Sequence, residues 1–232
     1  IKKYGLDESE FLSRMESFRS FNEFFYRKLR PEARPINSHE HSIVFPADGR
    51  HFVIPNLSKI DHIYAKGQSF DLPALFANTN LAKPYSDGSM IISRLCPVDY
   101  HRFHFPVSGK ISDTNLLNGH LLSVNPIALR KRLSIFWENK RYLSFLENNT
   151  IGNVAQFLVG ATCVGSVHLS TAKDSLVQKG QEYGYFSFGG SCVITVFPPN
   201  TVCFSKHIVE WSEKGFETYG KMGERMGDLI SV

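Results

Sequence analysis

The chain has 232 residues, which is enough to bury a large core without disulfide support. Hydrophobic residues make up 42% and aromatic residues 13%, so the composition excludes a disordered chain. The formal net charge of +4 favours an anionic surface or substrate but does not indicate a nucleic-acid-binding protein. No apolar run approaches the roughly 20 residues that a membrane-spanning helix needs.

The cysteines are far apart, and their spacing predicts neither a zinc site nor any other metal site. They are Cys96, Cys163, Cys192 and Cys203. Each lies beside apolar residues in strand-like surroundings, so we expect buried, reduced thiols. The chain begins IKKYG without an initiator Met, which indicates a trimmed or processed form and leaves an upstream signal or anchor open.

Two short amphipathic helices are predicted at the start of the chain. The first follows Asp7, which has capping-box spacing with Glu10. The second follows Ser20, with Glu23 completing another capping box. Their apolar stripes comprise Phe11, Leu12, Met15 and Phe18 in the first helix, and Phe21, Phe24, Phe25 and Leu29 in the second. Because Arg27, Lys28 and Arg30 follow, the segment suits a helix on a membrane surface as well as one docked on the core.

After the segment PEARPI, the pattern changes to short apolar runs separated by turns. Examples are GRHFVIPN, MIISRLCPVDY, NVAQFLVGATCVGSV and SCVITVF. Many alternate with period two and no regular helix recurs between them, which argues against a parallel sheet. We therefore predict an α+β fold with a predominantly antiparallel β core, either sandwich-like or a partly closed barrel. Short helices are predicted within 72–82 and 127–137, and the domains as an N-terminal segment, 1–36, and a β-rich domain, 37–232.

Three stretches combine polar groups with turn residues at strand ends. Asp48 of PADG is typical of a turn aspartate. His101 and His104 lie in a segment predicted to be extended, where they would face opposite sides and would not share a metal ion. Gly189-Gly190-Ser191 interrupts a strand rich in β-branched residues, although glycine costs backbone entropy and has no side chain to pack.

Asp48, His104 and Ser191 are the residue types of a hydrolase triad. However, the nucleophile elbow G-x-S-x-G is absent, because the sequence around the serine reads GGSCV and continues as a strand. From the residues alone, two readings stay open. One is a serine hydrolase acting on an acyl substrate, and the other is a non-catalytic binding domain in which the glycines form a bulge.

The chain resembles the phosphatidylserine decarboxylase family of pyruvoyl-dependent enzymes along nearly its whole length. The matching segments are SFNEFFYRKLRPEARPI, PADGR, KGQSFDLPALF, CPVDYHRFHFPVSG, VNPIAL, NKRYLSF, VGATCVGSV, KGQEYGYFSFGGSCVITVF and KMGERMG. Each is weak by itself. Their order and spacing, ending in Gly-Ser before a β-branched strand, carry the resemblance.

The resemblance implies a proenzyme that cuts itself between Gly190 and Ser191 into a β chain and an α chain. Ser191 Oγ would attack the Gly190 carbonyl, and elimination followed by hydrolysis would leave a pyruvoyl cofactor in place of Ser191. The family assigns His104 as the base for Ser191, with Asp48 orienting and stabilising it. It assigns His101 as the acid that reprotonates the decarboxylated substrate.

The implied substrate is phosphatidylserine, whose amine would form a Schiff base with the pyruvoyl group before CO2 leaves to give phosphatidylethanolamine. The resemblance therefore implies a peripheral membrane protein, on the cell membrane if bacterial. Homodimers are frequent in the family. A pyruvoyl-dependent decarboxylase of a soluble amino acid stays open as an alternative. Cys192 departs from the family, which commonly has Thr there; we expect the strand to tolerate it, with its effect on cleavage open.

Overall fold

A computed structural model describes residues 5–59, 62–63, 65–66, 68–162, 166–187 and 191–230. Cys163 and the Gly189-Gly190 pair lie outside these ranges, so the expectations that concern them stay predictions. The helices are α1 Phe21–Phe25, α2 Leu72–Phe76, α3 Thr79–Ala82, α4 Pro126–Lys131, α5 Ile135–Glu138 and α6 Lys206–Glu213. Turns of 3-10 helix span Glu8–Glu10, Met15–Ser17, Pro31–Ala33, Leu57–Lys59 and Lys83–Tyr85.

The strands of the first half are β1 Ser42–Val44, β2 Gly49–Ile54, β3 His62–Ile63, β4 Ala65–Lys66, β5 Ser89–Leu95, β6 Arg102–His104, β7 Gly109–Ile111 and β8 Asn115–Leu117. Those of the second half are β9 Arg141–Asn148, β10 Gly152–Gly160, β11 Val167–Leu169, β12 Leu176–Val177, β13 Glu182–Phe186, β14 Ser191–Phe197, β15 Val202–Phe204, β16 Thr218–Gly220 and β17 Arg225–Leu229. The helices predicted within 72–82 and 127–137 are confirmed as α2 with α3 and α4 with α5.

The largest sheet of the described residues has nine strands in the order β12-β7-β9-β10-β14-β5-β2-β16, with β8 also paired to β9. Two three-stranded sheets have the orders β11-β13-β6 and β1-β17-β15, and β3 pairs with β4. All of these pairings are antiparallel. The described strands form open sheets rather than a closed barrel, so the antiparallel, sandwich-like α+β prediction is confirmed.

Strand β14 lies in the middle of the large sheet and is buried on both faces. Val193 and Phe197 belong to one apolar cluster, to which β6, β13, β15 and β17 also contribute. Cys192, Ile194 and Val196 belong to a second cluster, which includes residues of α2, α4 and α5. Period-two alternation thus divides the strand between two cores, and each buried aliphatic side chain contributes about 1.5–3 kcal/mol. This two-sided burial explains the β-branched run.

The two predicted N-terminal helices differ in outcome. The start of the second is confirmed as α1, since Ser20 Oγ accepts a hydrogen bond from Glu23 N at 3.1 Å, but the helix ends at Phe25 and does not reach Leu29. The first is not a continuous α-helix but two 3-10 turns, and Asp7 caps Ser9 N rather than Glu10. The reason is tertiary: Phe11 forms a β-bridge with Leu29.

The apolar residues of the N-terminal segment divide between the protein interior and solvent. Phe11 and Phe25 are buried, whereas Phe21 is 60% and Leu12 54% exposed. One side of the segment therefore packs on the rest of the protein, and the other side exposes apolar side chains to solvent. Among the described residues, no helix is long and apolar enough to cross a membrane.

Of the three cysteines that the structure describes, one confirms the prediction of a buried thiol. Cys192 is buried, Cys96 is half-buried and Cys203 is exposed, and all three are free. Cys203 is exposed because its neighbours Val202 and Phe204 take the inward positions of the short strand β15. The strand-like sequence context identified the strand correctly but not the face of it on which the thiol lies.

Candidate active site

Asp48 lies in the turn before β2 and is almost completely buried. The turn depends on Gly49, because a Cβ there would stand 2.6 Å from the backbone oxygen of Arg94. Arg34 Nε lies 2.9 Å from both carboxylate oxygens of Asp48, and Arg34 Nη2 lies 2.5 Å from Oδ2. Met222 N donates a further hydrogen bond of 2.9 Å to Oδ1. Asp48 is therefore a buried carboxylate held by a guanidinium and a backbone amide.

His104 ends strand β6 and is also buried. Its backbone N–H donates to Pro46 O at 2.7 Å, and its Nδ1 lies 2.9 Å from Gly180 O. Because a carbonyl only accepts, Nδ1 carries the proton and Nε2 has a free lone pair. Nε2 is buried and has no hydrogen-bond partner among the described residues. Burial lowers the pKa of His104, so the ring is a neutral base.

The resemblance implied that Asp48 orients His104. In the structure, the orienting acceptor is Gly180 O, while the Asp48 carboxylate bonds to Arg34 and Met222. Burial lowers the pKa of His104, while the hydrogen bond to Gly180 O and the charges of Glu182 and Asp48 act against that effect. Among the described residues, Asp48 makes no direct hydrogen bond to His104.

His101 lies just before β6 in different surroundings. It is completely buried, and its Nδ1 lies 2.9 Å from Asp99 O. The ring centroid of Phe25 in α1 lies 3.7 Å from that of His101. Burial lowers the pKa of His101 to about 3, and its Nε2 has no hydrogen-bond partner among the described residues. The two histidines thus have separate neighbours, as two separate roles require.

Ser191 is the first residue of β14 and is fully buried. Its backbone pairs with Gly160 of β10 on one side and Leu95 of β5 on the other. Its Oγ has no hydrogen-bond partner among the described residues. Buried hydroxyls are normally bonded, so the orphaned hydroxyl of Ser191, like that of Thr195 on the same strand, needs an explanation.

Cys192, the departure from the family, points to the opposite face of β14 from Ser191. Burial raises the pKa of its thiol, which keeps it neutral and unreactive. The cysteine therefore packs in the second core, where it replaces a threonine without introducing a thiolate.

The strand pairings place Ser191 and the segment that carries His101 at one end of the large sheet. Leu95, the partner of Ser191, ends β5, and the turn that follows is closed by a 2.7 Å hydrogen bond from Cys96 N to Asp99 Oδ2. His101 O accepts from Phe186 N, four residues before Gly190 in the chain. Among the described residues, Ser191 Oγ forms no hydrogen bond to either histidine.

A cavity of about 270 Å³ borders His104. Its lining includes Arg34, Tyr100, Gly180, Glu182 and Met222, with Lys28 to Pro31 of the N-terminal segment along one side. Sequence reasoning missed Arg34 as the partner of the Asp48 carboxylate and Gly180 O as the acceptor for His104 Nδ1. Arg34 lies in the quoted segment SFNEFFYRKLRPEARPI, but the carbonyl of Gly180 is a backbone acceptor, which no sequence motif reveals.

Comparison with known proteins supports the same family. The phosphatidylserine decarboxylase family model matches residues 21–228. The chain is 43% identical over 231 residues to the phosphatidylserine decarboxylase proenzyme of Chlamydia muridarum, covering 100% of this chain and 77% of that protein. It is 42% identical over 228 residues to the proenzyme of Fusobacterium nucleatum (98% and 76%) and 43% over 230 residues to that of Clostridium novyi (99% and 78%). The chain therefore belongs to the phosphatidylserine decarboxylase family.

Proposed function

We propose that this chain is a phosphatidylserine decarboxylase that cuts itself between Gly190 and Ser191, with Asp48, His104 and Ser191 as the self-cleavage residues. The observation that carries the proposal is the buried, unpartnered Ser191 hydroxyl at the start of the central strand. A serine hydroxyl needs a base before it becomes a nucleophile. His104 offers an unprotonated Nε2 for that task.

Self-cleavage begins with proton transfer from Ser191 Oγ to His104 Nε2. The Oγ attacks the Gly190 carbonyl carbon, a C–O bond forms, and the C–N bond breaks as the Ser191 nitrogen takes the proton back. Removal of the Ser191 Cα proton then breaks the Cβ–O bond, which releases the β chain with a carboxylate at Gly190. Water adds to the resulting dehydroalanine, and ammonia leaves.

The residues at the site fit a pyruvoyl group derived from Ser191. The group would replace a side chain that is already enclosed and makes no described hydrogen bond. Backbone pairing on both sides holds its position in the sheet. When formed, the pyruvoyl group supplies an electron sink for loss of CO2 from an amine-bearing substrate.

His101 is the proposed proton donor in decarboxylation. In the structure it is neutral, because burial lowers its pKa to about 3. A neutral imidazole with that pKa is a poor acid at neutral pH, so donation requires the substrate to change its surroundings. An anionic head group displacing the Phe25 ring would both open the site and raise the pKa of His101.

Access to a membrane lipid is supported by the N-terminal segment. Phe21 and Leu12 are exposed beside Lys28 and Arg30, while Phe25 of the same helix reaches His101. An apolar surface with nearby cations suits attachment to an anionic membrane. We therefore propose peripheral attachment through this segment; homodimer formation stays a prediction.

Intact-mass spectrometry tests the proposal. The purified wild-type chain is expected as two fragments that meet at Gly190 and Ser191, with the smaller lighter by the change from serine to pyruvoyl. Ser191→Ala is expected as one uncut chain without decarboxylase activity. Thr195→Val is the matched control, because Thr195 Oγ1 is also buried without a described partner on the same strand. Cutting of Ser191→Ala at the same bond would refute the assignment.

A further inference from the structure

Arg34 is the principal partner of Asp48. The side chain is 8% exposed and, besides Asp48, its Nη1 lies 3.0 Å from Glu10 Oε1 and 2.6 Å from Ala33 O. Burial by itself would lower the pKa of Arg34, but hydrogen bonds to Asp48 and Glu10 raise it above its ordinary value. The guanidinium therefore stays charged inside the protein.

The Asp48 carboxylate depends on that charge. Its other hydrogen-bond donor is the neutral amide of Met222, and a buried carboxylate without a cationic partner is strongly disfavoured. Such a carboxyl group takes up a proton or turns toward another donor. In either case it no longer provides a fixed negative charge near His104 when that ring accepts the Ser191 proton.

The geometry of Arg34 is as important as its charge. Nε and Nη2 both face Asp48, so the planar fork fixes the plane of the carboxylate as well as its position. A lysine ammonium is a point charge on a flexible stem and cannot reproduce that fork. Arg34 can therefore orient Asp48 in a way that another cation would not.

We propose that Arg34 is a positioning residue for self-cleavage, which holds the Asp48 carboxylate in a fixed orientation so that it stabilises protonated His104. This inference rests on the proposed function. It also makes the N-terminal segment part of the cleavage machinery, since Arg34 is tied to Glu10, and Glu10 Oε1 lies 3.6 Å from Lys221 Nζ.

The test measures the rate of self-cleavage in freshly translated full-length chains carrying Arg34→Lys or Arg34→Ala. Arg34→Lys is expected to retain the wild-type circular dichroism and melting temperature but to cut at least about tenfold more slowly. Arg34→Ala is expected to be slower still, and millimolar methylguanidinium to restore part of its rate. Arg94→Lys is the matched control, because Arg94 is equally buried and makes the same fork through Nε and Nη2 to the carboxylate of Glu217 instead of Asp48.

A second comparison separates positioning from general stabilisation. If Arg34 acts through Asp48, adding Arg34→Lys to Asp48→Asn slows cleavage no further than Asp48→Asn alone. Multiplicative losses would overturn the inference, and so would an Arg34→Lys chain that cuts at the wild-type rate. Failure of Arg34→Ala to respond to methylguanidinium would count against it. The proposed function fails separately, if the wild-type chain stays uncut or Ser191→Ala is cut.

Discussion

The two ends of strand β14 differ in what surrounds them. Beyond Phe197 lies a cavity of about 650 Å³, whose lining includes Pro198, Tyr85 and Ser112. Two of its hydroxyl groups are bonded: Tyr85 Oη donates to Asn153 O at 2.9 Å and Ser112 Oγ to Asp113 O at 2.9 Å. At the Ser191 end the cavity beside His104 is smaller, about 270 Å³, but Ser191 and both histidines have buried atoms without described partners.

Cavity volume therefore does not indicate where the reactive groups lie in this fold. Unpartnered, desolvated groups are costly to keep in a core. Thr195 Oγ1 and the amide of its neighbour Gln156 also lack described partners, but among the described residues the Ser191 end alone combines such a hydroxyl with two histidines that have unbonded ring nitrogens. We therefore expect variants at the Ser191 end of β14 to change self-cleavage or decarboxylation far more than a variant at the Phe197 end.

The largest effect is expected from His104→Gln. Loss of the general base should slow self-cleavage by about 10²–10⁴-fold, because the Ser191 hydroxyl would keep its proton. The fraction of cut chain over time, read on denaturing gels, measures the effect. A wild-type rate in this variant would mean that another group activates Ser191.

The next largest effect is expected from His101→Asn, which should reduce decarboxylation but not self-cleavage. His101→Asn should still cut itself, because His101 Nδ1 bonds Asp99 O and its ring packs on Phe25 away from the His104 cavity. Its release of CO2 from carboxyl-labelled phosphatidylserine should fall by at least about 100-fold. Equal losses of cleavage and decarboxylation would contradict the separate roles that we propose for the two histidines.

A third effect concerns stability in acid. Burial lowers the pKa of both His51 and His101 to about 3, so the unfolded chain binds more protons than the folded one between pH 6.5 and pH 3. Stability should be complete above pH 6.5 and fall by about 2 kcal/mol for each histidine between pH 7 and pH 5. Urea unfolding at the two pH values measures it. His101→Asn is expected to reduce the dependence by its share of about 2 kcal/mol, while His51 and His104, whose pKa burial also lowers, keep the rest.

The smallest effect is expected at the other end of β14. Tyr85→Phe removes the hydrogen bond to Asn153 O and should lower the free energy of unfolding by about 1 kcal/mol. Self-cleavage should stay within about twofold of the wild-type rate. Strong loss of cleavage in this variant would show that the larger cavity takes part in the reaction.

Much of the fold and part of the site could be predicted from the sequence. Period-two alternation predicted the antiparallel core, and the capping box at Ser20 predicted α1. The prediction of the first N-terminal helix was wrong, because local helix propensity contains no information about the β-bridge between Phe11 and Leu29. The acceptor of His104 could not be predicted either, because Gly180 contributes a carbonyl that every residue type carries.

The pairing of β14 on both sides has a consequence for the fate of the cut protein. All seven residues of this strand pair with β5, and six of them also pair with β10. After the proposed cut, β14 of the fragment that begins at residue 191 would lie between two strands of the other fragment and stay hydrogen-bonded to both. We expect the two pieces to co-elute under native conditions and to separate only when the protein is unfolded, because release of the smaller piece would dismantle the whole sheet.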